Sequence, residues 1–127
     1  MNIIKKLYCR TFQLGMKLAL PFLPYRKPKI VGSVRFLPDI IRKKKCHHVL
    51  IITDPGIAAL GLTRRLENAL RDSGISYTIY DQTCANPTTE NVSDALDLYY
   101  EHFCDCILGF GGGSSMDCAK AVGARVA

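Results

Sequence analysis

From residue 46 onward, the apolar residues of this 127-residue chain alternate between two patterns. Val49-Leu50-Ile51-Ile52-Thr53 is a continuous β-branched and apolar run, as in a strand buried on both faces. Asp54-Pro55-Gly56 breaks it. Residues 57–72 carry Leu62, Leu66, Ala69 and Leu70 at helical spacing, and Ser73-Gly74 closes that segment. Tyr77-Thr78-Ile79-Tyr80 reads as a second strand and Asn86-Pro87-Thr88 as a loop. Val92, Ala95, Leu96, Tyr99 and Phe103 make one stripe, which predicts a helix over 89–103. Cys106-Ile107-Leu108-Gly109-Phe110 is a third strand; Gly111-Gly112-Gly113 follows, and a third helix begins at Ser114. The order is β-α-β-α-β-α with short links. Strands alternating with helices are joined by right-handed crossovers and pair in parallel. The pattern therefore predicts an α/β fold with an open, Rossmann-like parallel sheet.

Upstream the pattern is less regular. Lys29 to Val34 reads as a short strand and Leu37 to Lys45 as a short helix, whose terminal lysines suit its negative carboxyl end. Residues 1–28 form a basic leader with an amphipathic surface helix over 3–20, and residues 29–127 the α/β domain. Leu14 to Pro24 is too short to span a bilayer, is interrupted by Lys17 and is followed by no small-residue cleavage site. No membrane span is expected, and surface contact by the basic helix is the alternative.

Charge sharpens this division. The net +6 splits into +11 over residues 1–45, where Asp39 is the one acid, and −5 over residues 46–127. A nucleic-acid partner would rest on the leader alone, so none is expected. The six cysteines show no C-x-x-C pairing and read as free thiols of a reducing, cytoplasmic compartment. Alternation would turn Cys104 and Cys106 to the same face.

Ligands of open parallel sheets bind at the carboxyl ends of the strands. Phe110-Gly111-Gly112-Gly113-Ser114-Ser115-Met116-Asp117 sits at such an end. Consecutive glycines allow positive φ and let a ligand approach the backbone, and the following helix offers unpaired N–H groups to a phosphate. Ser114 and Asp117 can also be read as a capping pair, which leaves the glycines unexplained. Asp54, just after the first strand, is a ribose ligand or an ordinary turn residue, and Asp81 is its rival at the end of the second strand. His47, His48 and His102 read as surface residues, with no carboxylate at metal spacing.

These residues resemble the iron-containing, or group III, alcohol dehydrogenase family over residues 30–127. Thr53-Asp54 is similar to the end of the family's first strand, and Asn86-Pro87-Thr88 to its Asn-Pro-Thr loop. Gly111-Gly112-Gly113-Ser114, with Asp117 and Ala119-Lys120, is similar to its Gly-Gly-Gly-Ser-x-x-Asp-x-Ala-Lys signature. The resemblance implies a nicotinamide dinucleotide, NAD in preference to NADP, with Asp54 on the adenosine ribose. It places Asn86 near the nicotinamide, Gly111, Gly112, Gly113 and Ser114 at the pyrophosphate, and Asp117 in support of the loop or on a ribose. Ser114, where glycerol dehydrogenases carry a lysine, makes the alcohol dehydrogenase branch the better match. The implied reaction is hydride transfer between a primary alcohol or its aldehyde and the nicotinamide. Fe²⁺ or Zn²⁺ would be held in a helical domain beyond Ala127, so no catalytic residue or metal ligand is expected here. A homo-oligomer, a glycerol-dehydrogenase-like relative and a non-catalytic nucleotide binder stay open.

Overall fold

The computed structural model describes residues 3–24 and 26–127. The chain divides into two compact units, Met1–Ile30 and Val31–Ala127. The first contains helix α1 (Ile3–Ala19), followed by a 3₁₀ turn over Leu20–Phe22. The second runs α2 (Leu37–Lys43), β1 (His48–Ile52), α3 (Pro55–Ala59), α4 (Arg64–Asp72), β2 (Ser76–Tyr80), α5 (Thr89–Glu101), β3 (Cys106–Gly109) and α6 (Gly113–Val126).

Strand β1 lies in the middle of a wholly parallel sheet of order β2-β1-β3. Its register sets Ile52 opposite both Tyr80 and Gly109, so the three strands end level. Alternation along β1 divides the core. Leu50 and Ile52 pack with Ala95 of α5 and Cys118 and Val122 of α6, while Val49 and Ile51 pack with Ile41 of α2 and Leu66 and Leu70 of α4. All four β1 side chains are fully buried. The result is an open α/β sheet with helices on both faces, as the sequence pattern predicts. At the amino end of the sheet the Asp105 carboxylate accepts the backbone N–H of His47 at 2.8 Å and of His48 at 2.9 Å, tying β1 to the start of β3.

Several expectations are corrected. Lys29 to Val34 forms no strand; Ile30 is 94% exposed, and the segment pairs with neither edge of the β2-β1-β3 sheet. Instead Ser33 caps a 3₁₀ turn over Val34–Phe36. The single helix expected over 57–72 is two. Gly61 takes φ +65 between them, a conformation that ends a right-handed helix, and Leu62 is left exposed. Phe103 leaves the α5 stripe because it adopts φ +52 just past the helix end, where the chain turns toward β3, and it is 87% exposed. The turn also separates Cys104 from Cys106. Strand alternation starts only at Cys106, so Cys104 joins the α5–α6 side while Cys106 packs on the α2–α4 side.

Two outcomes follow from this packing. Leu50→Ala should lower stability by about 2–5 kcal/mol, measured as a reduced urea midpoint, because it opens a cavity in the fully buried face that α5 and α6 cover. Burial pushes the Cys106 thiol up to about 11 from an ordinary value near 9. Its folded pKa lies above its unfolded one, so its contribution is intact below about 9 and is lost as pH rises toward 11. Iodoacetamide at pH 8 should thus modify exposed Cys9 and Cys84 well before Cys106. Equal rates would contradict this packing.

Candidate dinucleotide site at the strand ends

Because the three strands end level, their following segments meet in one place. An open cleft of about 500 Å³ lies there. Asp54 and Pro55 line it after β1, Gln82, Thr83, Cys84 and Ala85 after β2, and Gly112, Gly113 and Ser114 after β3.

Asp54 is held firmly. One carboxylate oxygen caps α3 by accepting the Ile57 N–H at 2.9 Å, and the other accepts the Ser115 hydroxyl at 3.4 Å. An ionised carboxylate has about four acceptor positions, so lone pairs remain for a ligand. Asp81 does not line the cleft; its carboxylate accepts the Gln82 side-chain amide.

The glycines fall into two kinds. At Gly111, φ is +133, and a Cβ would sit 3.1 Å from Ser115 Oγ and 3.2 Å from Asp54 Oδ2. This glycine serves the fold by letting the loop close over Asp54. At Gly112 and Gly113 a Cβ would meet nothing within 4 Å. Internal packing therefore does not require glycine at either, yet both face the cleft. Bare backbone beside empty space suits a ligand that lies against it. Gly112 is the N-cap of α6 and no side chain caps the helix, so its first N–H groups are available to an anion. The alternative Ser114–Asp117 capping pair does not form, because α6 starts at Gly113 and its N-cap is Gly112. Asp117 instead pairs with Lys120 at 3.4 Å, exposed and outside the cleft lining.

The loop after β2 is fixed by a residue the sequence reading passed over. Asn91 is buried and completes a capping box with Thr88, its own N–H bonding Thr88 Oγ1 while its side-chain oxygen accepts the Thr88 N–H. The same amide accepts the Cys84 N–H at 3.3 Å and donates to the Tyr80 hydroxyl and the Gln82 carbonyl. Its one side chain thus ties the end of β2, the cleft loop and the start of α5. Burial, outweighing the Asn91 contact, raises the Tyr80 pKa. Thr88-x-x-Asn91 was the available signal, since it is a capping box with Asn in place of Glu or Gln. Asn86 takes φ +58 in this loop but is exposed and absent from the cleft lining.

Thr83 points to a ligand independently. It lines the cleft, is 1% exposed, and its hydroxyl has no hydrogen-bond partner among the described residues. The Cys118 thiol, raised in pKa by burial, interacts with it only weakly. A buried hydroxyl without a strong partner costs free energy that a bound polar group would recover. The histidines lie elsewhere: His48, bonded to Thr78 at 2.8 Å, opens β1 at the far end of the sheet. Among the described residues no group of three or more His, Cys, Asp or Glu side chains could hold a metal ion.

Residues 30–127 match the family described as iron-containing alcohol dehydrogenase. The chain belongs to that family. It is 40% identical over 91 residues to alcohol dehydrogenase 4 of Saccharomyces cerevisiae, covering 72% of this chain and 24% of that protein. It is 32% identical over 105 residues to sulfoacetaldehyde reductase of Bilophila wadsworthia, covering 80% and 27% respectively. Among solved structures, NADH-dependent butanol dehydrogenase A from Thermotoga maritima superposes with a TM-score of 0.73 at 28% identity, over 82% of this chain and 27% of that one. A 1,3-propanediol oxidoreductase gives 0.71 at 29% identity, over 75% and 25%. The chain spans about a quarter of the length of the curated relatives it matches. In this member of the iron-containing alcohol dehydrogenases, Gly111 and Gly112 lead from β3 into α6, which begins at Gly113.

The two kinds of glycine can be told apart by stability. Gly111→Ala should cost about 1–3 kcal/mol in chemical denaturation, through strain at positive φ and collision with Asp54. Gly113→Ala should leave the midpoint within about 0.5 kcal/mol. Equal losses would remove the distinction.

Proposed function

We propose that Val31–Ala127 is the nicotinamide-dinucleotide-binding part of an alcohol dehydrogenase or aldehyde reductase, and that it favours NAD over NADP. The observation that carries this reading is the cleft with Asp54 on one wall and the uncapped start of α6 on another. Gly112, Gly113 and Ser114 would hold the pyrophosphate through backbone N–H groups and the positive end of the helix. Asp54 would accept hydrogen bonds from the adenosine ribose, and its charge would repel a 2′-phosphate. Thr83 would give its hydroxyl to a polar atom of the same ligand. Asn86 and Asp117, outside the cleft lining, would act at its edges, on the nicotinamide side and in support of the loop.

When bound, the nicotinamide supplies the hydride chemistry, between a primary alcohol or its aldehyde and the ring. The residues of this chain bind and orient it. The oxidoreductase names of the relatives, and the NADH dependence in the name of the Thermotoga maritima enzyme, support this reading. The described residues do not fit the metal in the family's name, which would be held by other residues.

Calorimetric titration of the chain with NADH and NADPH tests the proposal. NADH should bind more tightly. Asp54→Asn keeps an α3 cap while removing the charge, and should narrow the preference by about tenfold, or ~1.4 kcal/mol. Absence of binding by a chain that unfolds cooperatively would sink the reading; an unchanged ratio in Asp54→Asn would remove Asp54 from the ribose.

A further inference from the structure

We infer that α1 is a lipid-binding helix that lies in the surface of an anionic phospholipid bilayer. The inference concerns the Met1–Ile30 unit and is independent of the dinucleotide reading. None of the residues of α1 is buried. Ile3, Leu7, Leu14 and Leu18 line up along it, and each is between 62% and 81% exposed. At 100° per residue, apolar and small side chains cover a sector of roughly 240° that only Lys5 and Thr11 interrupt. Lys6, Arg10, Gln13 and Lys17 occupy the narrow remaining stripe. An isolated helix of this length is marginal in water, so a face this apolar needs a cover to keep its conformation.

Charge identifies the cover. Residues 3–30 contain seven Lys or Arg and no acid. A nucleic acid would engage the basic stripe and leave the broad apolar sector bare. A protein groove takes a narrow line of anchors spaced three or four residues apart. A bilayer interface accepts the whole sector, with the lysine and arginine stems reaching back to the phosphate level. Tyr8 and Phe12 on the same sector, 72% and 62% exposed, are suited to that depth. Phe22, 90% exposed, and the run Arg26-Lys27 with Lys29 extend the same chemistry beyond the helix. Seventeen residues rise only about 25 Å, and among the described residues no helix is long and apolar enough to cross a membrane. The helix lies in the surface plane.

The test is co-sedimentation of the full 127-residue chain with vesicles of phosphatidylcholine alone, and of phosphatidylcholine with an equal part of phosphatidylglycerol. Circular dichroism follows helix gain in parallel. Binding to the anionic vesicles, weakened by high salt and accompanied by helix gain, is expected. Lys6→Gln, Arg10→Gln and Lys17→Gln together should weaken it by about tenfold or more. Leu7→Glu with Leu14→Glu should abolish it, and neither set touches the core of the other unit, whose thermal unfolding serves as the folding control. Failure to pellet with anionic vesicles, equal binding to neutral ones, or undiminished binding by the glutamate variant overturns the inference. So does salt-resistant self-association in solution that leaves the vesicles unbound.

Discussion

Strand β1 must be covered on both faces, and most of the architecture follows from that requirement. Four consecutive apolar side chains cannot be buried by one layer, because alternation sends Leu50 and Ile52 one way and Val49 and Ile51 the other. Parallel neighbours can be reached only by crossovers, and those crossovers supply the covering helices. The same geometry has a chemical consequence. Each crossover leaves the sheet at the carboxyl end of a strand, so level strand ends bring three unrelated loops to one cleft. The core sets where the site lies before any residue in the site is chosen.

Within the cleft, precision comes from contacts between loops. Asp54 is gripped from its own helix by Ile57 and from across the sheet by Ser115, a pairing that Gly111 permits by having no Cβ. Asn91 performs the same service for the loop after β2, with hydrogen bonds to Tyr80, Gln82, Cys84 and Thr88. Among the described residues lining the cleft, the Gly112 and Gly113 N–H groups and the Thr83 hydroxyl have no such internal use.

How far this could be seen in the sequence depends on the range of the interaction. The β1, β2 and β3 runs and the helices after Thr88 and Gly112 were legible, because burial on two faces or on one stripe imposes a period. The glycine loop and Asp54 were legible because their positions relative to strand ends carry meaning. Ser115 was not, since nothing local separates it from Ser114; its role comes from a carboxylate 61 residues away. The break at Gly61 and the outward turn of Phe103 escaped the periodic reading because single residues at positive φ override a stripe that otherwise continues. Lys29 to Val34 has strand composition, but a strand is a property of a pair, and this segment pairs with neither sheet edge among the described residues.

The uneven charge of the chain bears on how an anionic cofactor could be held at all. Residues 31–127, the unit that holds the cleft, carry a net −1, and among the described residues no lysine or arginine lines the cleft. Long-range attraction would therefore add little to the proposed binding of a pyrophosphate; local donors would have to supply it, at contact distance and in a fixed orientation. The first turn of α6 offers such donors without any mobile side chain to order, and bare glycine backbone lets the phosphates come within reach of them. Such a site would select by geometry and by the carboxylate on its opposite wall, which an excess of surrounding lysines would mask. Seven basic residues and no acid lie instead in residues 3–30, where the proposed attraction to an extended anionic surface would need no orientation.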